Sequence, residues 1–290
     1  MRLDLATIIG LIVGIGAIFF AYYLEGGHFS AVFQAPAMIL VIGGTIGAAT
    51  VTTSFRTLRN IPTLLRIAFF GNKPDSARTI ADITVMAEKA RREGVLGLEE
   101  DLKKIGDPFL RKAIQLVIDG TDSNDMRQIL ETEVTYIAER HRQGIALFKA
   151  LGGFSPTLGI IGTVLGLVHT LSNTGDAARM ATAIAGAFIA TLWGISMANL
   201  VYLPIGDKLR MRHDEEAANL DLIIDGIIAI QSGENPRIIR SKLMSFIEPD
   251  VREANFGRKA EREQRRKKYE EEYRDVKSRR NKFESFTNVG

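Results

Sequence analysis

Apolar residues are segregated along this chain into four runs that hold no Asp, Glu, Lys or Arg: 5–24, 31–54, 150–171 and 180–205. The shortest of them has 20 residues. At about 1.5 Å of rise per residue it reaches about 30 Å, the thickness of the hydrocarbon core of a bilayer. The pattern therefore predicts four transmembrane helices. The first run is too long for the apolar region of a secretory signal, and Glu25-Gly26-Gly27-His28-Phe29 after it lacks a small-x-small cleavage site, so it is expected to be a retained span.

Between the runs the spacing is helical. Pro74-Asp75-Ser76 resembles a helix start, and Ile80, Ile83, Val85 and Ala87 begin an apolar series near the helical period. Breaks are expected at Gly94, Gly97 and Gly106-Asp107-Pro108, then a helix over 109–119 and a turn with an N-cap at Gly120-Thr121-Asp122-Ser123. A long helix from about Asn124 then runs into the third span. Residues 206–232 continue the fourth span as helix, with Asn219, Gly226 and Gly233 as weak points, and Asn235-Pro236 starts another short helix. No strand alternation is found. The expected fold class is all-α, a polytopic membrane protein with four transmembrane helices and a helical cytoplasmic domain. Its predicted segments are spans 1 and 2 (1–54), the cytoplasmic domain (55–149), spans 3 and 4 (150–205), a cytoplasmic helical extension (206–251) and a charged tail (252–290).

Composition changes this picture little, because 46% hydrophobic and 24% charged residues are ordinary globular averages that conceal the segregation. Charge position matters more. Of 37 Lys and Arg, 16 lie in 55–149 and 19 in 205–290, while the loop at 25–30 has none. The flanking charges Arg56, Arg59, Lys149, Lys208, Arg210 and Arg212 carry the weight of the positive-inside rule, placing both termini and the middle segment in the cytoplasm. The connections near Gly26 and Gly175 are then short external turns. From Arg252 onward acidic and basic residues alternate densely, with Glu/Arg pairs four apart, as in an exposed helix or a partly disordered tail. With no aromatic stacking platform, the basic balance does not point to nucleic acid. The absence of cysteine excludes disulfides and thiolate metal chemistry. There is no Walker A, HExxH or GxSxG pattern and no paired Cys or His set, so no catalytic residue, cofactor or resident metal is expected.

Small residues recur at packing distance in each span: Gly10 and Gly14, Gly43 and Gly47, Gly162 and Gly166, and Gly186, Ala190 and Gly194. They suit close backbone approach in lipid, either within one chain or between subunits. The polar positions say more. Thr163 and Thr191 lie on consecutive antiparallel spans, the midpoint between them, residue 177, falls in the turn around Gly175, and each lies about 20 Å up a helix from the inner charges, so they are expected at one depth. A membrane Thr commonly bonds back to its own helix and does nothing else. Two hydroxyls at one depth, with backbone carbonyls, also suit a hard monovalent cation, but a neutral cluster binds one weakly. The spans hold no carboxylate, so a conducting assembly needs a partner chain to supply it. Pro156 is expected to begin the third span, where a proline costs nothing, whereas Pro204 falls inside a continuous helix and favours a kink. Such kinks either transmit motion or are inert. His169, near the outer end of the third span, suits an interfacial hydrogen bond or a proton relay.

Ala90-Arg91-Arg92-Glu93-Gly94, Leu98-Glu99-Glu100, Pro156-Thr157-Leu158-Gly159 and Pro204, set among four spans with a large loop between the second and third, resemble the MotA/PomA stator family of the bacterial flagellar motor. The resemblance covers residues 1 to about 250. It implies a multi-pass subunit of the inner cell membrane and a homopentamer around two copies of a single-span MotB/PomB partner, whose membrane Asp binds the ion. It also implies torque on the rotor protein FliG. By match to the family pattern, Arg91 and Glu99 face the rotor, Pro156 and Pro204 are the prolines tied to torque, and Thr191 is the hydroxyl of the ion path. Thr at 163 resembles the sodium-coupled relatives more than the proton-coupled ones, so the transported ion is expected to be Na⁺, with H⁺ as the alternative. The competing family is the ExbB/TolQ proton-driven energiser, which has three spans and lacks the charge pattern at 91 and 99.

Overall fold

The structure, a computed structural model, describes residues 4–71, 73–172 and 177–247. The expected turn at Gly175 and the tail 252–290 lie outside them. Every regular element among the described residues is helical, and four helices are long and apolar enough to cross a membrane. The first is Leu5–Leu24, as predicted, capped by Asp4, whose carboxylate accepts from Thr7 N at 3.2 Å.

The second span begins later than its apolar run. A short helix at Phe29–Val32 ends at Phe33, and the span proper is Ala35–Thr52. Pro36, in its first turn, explains the restart: it has no amide to bond Val32 O, so a helix cannot run through from Phe29–Val32, whereas in a first turn no such amide is needed. Within this span Ile39–Gly43 is wound as π-helix. Aromatic contacts fix the junction between spans 1 and 2: Phe19 stacks on Phe33 at 5.8 Å and Tyr23 on Phe29 at 5.8 Å. Trp193 Nε1 donates to Val32 O at 2.8 Å.

The third span is the end of a 49-residue helix, Ser123–Leu171. The fourth runs Ala177–Ser196, passes through a π segment at Met197–Tyr202, and continues as Leu203–Gln231. Because these helices do not stop where the apolar runs stop, packing divides the chain at other points than the composition did. One compact unit is Met1–Pro74 with Asn124–Asp221, and the other is Asp75–Ser123 with the chain from Leu222 onward.

The first unit has a core of Ile145, Phe148, Leu151, Ile205 and Leu209, joined by Ala49 from the second span and Ala68 from the helix Ile61–Phe70. The second unit starts with the helix Ser76–Glu93, capped by Asp75, which accepts from Arg78 N at 3.1 Å. Gly94 ends it at φ +79° and ψ 167°, a region essentially reserved for glycine that costs an L side chain about 1–3 kcal/mol. Val95–Lys104 is a 3₁₀ helix that runs through the break expected at Gly97, and Pro108–Ile118 follows, capped by Asp107. Gly226 is no weak point: a Cβ there would stand 3.0 Å from both Ile83 and Leu243, so glycine lets three elements close. The helix ends instead at Gly233, and Asn235 caps Pro236–Leu243.

Candidate ion-path site

Spans 3 and 4 touch backbone to backbone. A Cβ on Gly159 would stand 2.9 Å from Ala190 O and 3.2 Å from Gly194 Cα, and one on Gly194 would stand 2.7 Å from Ser155 O. Gly162 faces Ala190 and Gly166 faces Ala187 as closely, at 2.6 and 2.7 Å. For these four glycines the small face serves packing within the chain. Gly10, Gly43 and Gly47 have open space instead. Ser155, fully buried, adds a cross-span bond from its Oγ to Gly194 O at 2.9 Å.

This close approach places Thr163 and Thr191 in direct contact, hydroxyl to hydroxyl. Each reaches across the interface. The Thr163 hydroxyl lies 3.1 Å from Ala187 O and 3.2 Å from Gly159 O, and the Thr191 hydroxyl 3.3 Å from Gly159 O. Two hydroxyl protons are thus shared among two carbonyls and each other, leaving lone pairs on a cluster of four neutral oxygens. Both threonines are half-buried. Thr170 and Thr182 bond back to their own helices at the fourth preceding residue, as Thr163 does to Gly159 O, but only Thr163 and Thr191 also bond across the interface among these four.

Pro156 does not begin a helix. It lies inside Ser123–Leu171, so the expectation of a cost-free first-turn proline is corrected: the helix starts 33 residues earlier, and the proline removes the bond its amide would make to Gly152 O. Pro204 is interior, as expected, and the π segment Met197–Tyr202 ends two residues before it. A π turn spreads the preceding carbonyls and accommodates the ring.

Arg91 is exposed at the end of Ser76–Glu93, and Glu99 is exposed on Val95–Lys104. The structure brings neither into an ion pair among the described residues. Between them lies a group the sequence pattern did not flag. Lys89 Nζ bonds Asp101 at 2.8 Å and approaches Glu100 and Glu93 at 3.9 and 4.0 Å. The Asp101 bond raises the Lys89 ammonium above its ordinary range, while Lys104 and then Lys89 hold the Asp101 carboxyl below the usual carboxylate range. This pair fixes the platform that carries Arg91 and Glu99, and only the fold, not spacing, brings position 89 to 101.

At the base of the first span a second unpredicted cluster forms. Asp4 contacts Lys208 and accepts from Arg212 Nη2 at 2.9 Å; Arg212 also bonds Glu215 at 3.2 Å, and Lys73 reaches Glu215 at 3.3 Å. The Lys208 hydrogen bond holds the Asp4 carboxyl below its ordinary range. The network ties the start of span 1 to the continuation of span 4.

Two family models match the chain, the MotA/TolQ/ExbB proton channel family over residues 101–221 and the motility protein A N-terminal region over 8–94. The chain is 36% identical over 250 residues to motility protein A of Borreliella burgdorferi, covering 86% of this chain and 96% of the relative. It is 37% identical over 245 residues to chemotaxis protein PomA of Vibrio alginolyticus, covering 84% and 96%. Among solved structures it resembles a chain of the flagellar MotAB stator complex from Bacillus subtilis, with TM-score 0.80, 32% identity, and 84% and 96% of the two chains covered.

Proposed function

The chain belongs to the motility protein A (MotA/PomA) branch of the MotA/TolQ/ExbB proton channel family, and from that premise we propose that it is the A subunit of a flagellar stator that turns ion flow into torque. The observation that carries the mechanism is the Thr163–Thr191 contact with the Gly159 and Ala187 carbonyls around it. A neutral oxygen cluster replaces part of a cation's hydration shell but supplies no charge. The spans carry no Asp or Glu, so a single-span MotB/PomB-type partner brings the carboxylate, in the 5:2 assembly of the family. Na⁺ is the ion that uses a second hydroxyl; H⁺ needs only the partner's acid and a water chain, and is the alternative.

In this reading ion passage rotates a homopentamer. Pro156 and Pro204 let the two ion-lining helices flex, because each interrupts a helix that otherwise runs from the membrane into the cytoplasm. Arg91 and Glu99, exposed and unengaged by ion pairs among the described residues, press on the rotor protein FliG. Exposed charge contacts are each worth under about 1 kcal/mol, which suits contacts made and broken at every step. Both termini are cytoplasmic and the protein lies in the inner cell membrane. The match to the motility protein A N-terminal region over 8–94 supports this reading over an ExbB/TolQ-type energiser.

The test is rotation speed of tethered cells in which this chain and its partner form the sole stator, stepped between Na⁺ and K⁺ buffers at fixed pH. Speed that follows Na⁺, and loses that dependence in Thr163→Ala, is expected. Speed indifferent to Na⁺ but abolished by a protonophore would transfer the chain to the proton-coupled class. Absence of rotation with normal expression would favour the energiser.

A further inference from the structure

The sequence holds no spaced histidine motif, yet the fold brings together two of its four histidines, 72 positions apart. His141 lies on Ser123–Leu171, nine residues before the apolar run at 150–171, and His213 on Leu203–Gln231, eight residues after the run that ends at 205. Both are outside the membrane-spanning stretches. Their Nδ1 atoms face each other at 3.4 Å with the rings edge to face at 5.4 Å. Glu216 Oε2 stands 3.9 Å from His141 Nδ1. Leu64, Ile67, Ile145 and Leu209 enclose the pair in a small cavity that Arg212 also lines.

We propose that His141 and His213 form a proton-operated latch between the cytoplasmic continuations of spans 3 and 4. Two facing ring nitrogens have room for one proton. In the neutral pair one Nδ1–H donates to the other ring's Nδ1 lone pair. The first added proton goes to the outward Nε2 of the donor ring, making it imidazolium; the facing bond survives and becomes charge-assisted. The second must go to the accepting Nδ1, and two N–H groups then oppose each other at a distance that no longer holds a bond. The latch therefore stays shut through the first protonation and opens on the second.

The surrounding charges set where this happens. Burial, the most important influence, pushes the His141 imidazole below its ordinary range, Glu216 pulls it up, and the charges of His213 and Arg140 push it down again. From the helix Ile61–Phe70, the apolar Leu64 and Ile67 line the cavity at the pair. From the His213 helix, Arg212 adds positive charge but is already held by Asp4 and Glu215, and Glu215 by Lys73. Glu216 is thus the single carboxylate that approaches the pair itself among the described residues. The fully charged state is disfavoured near neutrality and reached only in acid.

That the latch would make the ion-lining spans responsive to cytoplasmic pH rests on the stator reading; the latch itself does not, and its readout is a distance rather than rotation. Since the chain has no cysteine, Tyr136→Cys and Ala218→Cys place one spin label on each helix at exposed sites. Double electron–electron resonance on the complete, detergent-solubilised assembly is stepped from about pH 8 to about pH 5, spanning the histidine range. The expected result is an unchanged distance through mild acid and a longer, broader one at the acid end. His141→Phe and His213→Phe should each abolish the pH response. His141→Asn, whose amide can donate to His213 but does not titrate, should keep the short distance throughout and guards against misfolding of the aromatic variants. A distance that does not change with pH in the labelled parent, or that lengthens equally in all three variants, would overturn the proposal.

Discussion

At the residue scale, the glycines of the spans divide by what they face. Gly159→Ala drives a methyl into Ala190 O at 2.9 Å and Gly194 Cα at 3.2 Å, backbone that cannot rotate away. Overpacking of this kind costs roughly 1–3 kcal/mol, so the variant should melt several degrees lower in detergent. Gly10→Ala meets open space and should be neutral or gain about 0.5–1 kcal/mol of helix propensity; an equal loss in both would show that subunit packing covers Gly10. Asp4 makes a second test. Asp4→Asn leaves Lys208 and Arg212 short of their acceptor, an expected loss of roughly 1.5–3 kcal/mol by hydrogen bonds to charged groups. Because its folded pKa is depressed, the contribution is whole above the ordinary carboxylate range and is lost as pH falls from that range through the lower folded pKa. A pH-melting curve of the variant should therefore converge with the parent in acid.

The elements carry the mechanical argument. A helix with an interior proline gives up one main-chain bond and tolerates a bend. Pro156 does so in a 49-residue helix, and near Pro204 a π segment takes up the misfit. Pro156→Ala restores an amide to bond Gly152 O and should raise thermal stability by about 1 kcal/mol or more, part of the roughly 3 kcal/mol cost of interior proline. Rotation should nonetheless slow, because the joint that we propose flexes is lost. Measuring the melting temperature and tethered-cell speed together separates this from simple damage, which lowers both.

For the molecule as a whole, the surface that we propose faces the rotor should behave as a charge array. Arg91→Glu or Glu99→Lys changes an exposed position, where stability shifts stay within about 0.5 kcal/mol. Each should reduce swimming partially with the melting temperature unmoved, and reversal of an opposing rotor charge should restore it. Loss of expression or a shifted melting temperature would mean that the residue belongs to the Lys89–Asp101 platform instead of the contact surface.

What the sequence determined by itself is one-dimensional. Uninterrupted apolar runs fix the number of spans because a bilayer tolerates no unpaired charge, and short caps such as Asp75, Asp107 and Asn235 fix helix starts because their partners lie two or three residues away. The common depth of Thr163 and Thr191 was legible for the same reason, since two antiparallel helices joined by a short turn share a ruler. Tertiary structure decided whatever depended on which faces meet: that the two hydroxyls touch, that four glycines close one interface while others stay open, and that Pro156 interrupts a helix instead of starting one. It also decided the meetings of Lys89 with Asp101, Asp4 with Lys208 and His141 with His213. These involve single polar residues on different helices, where no periodicity records a partner and only the rotation and register of packed helices bring it within reach.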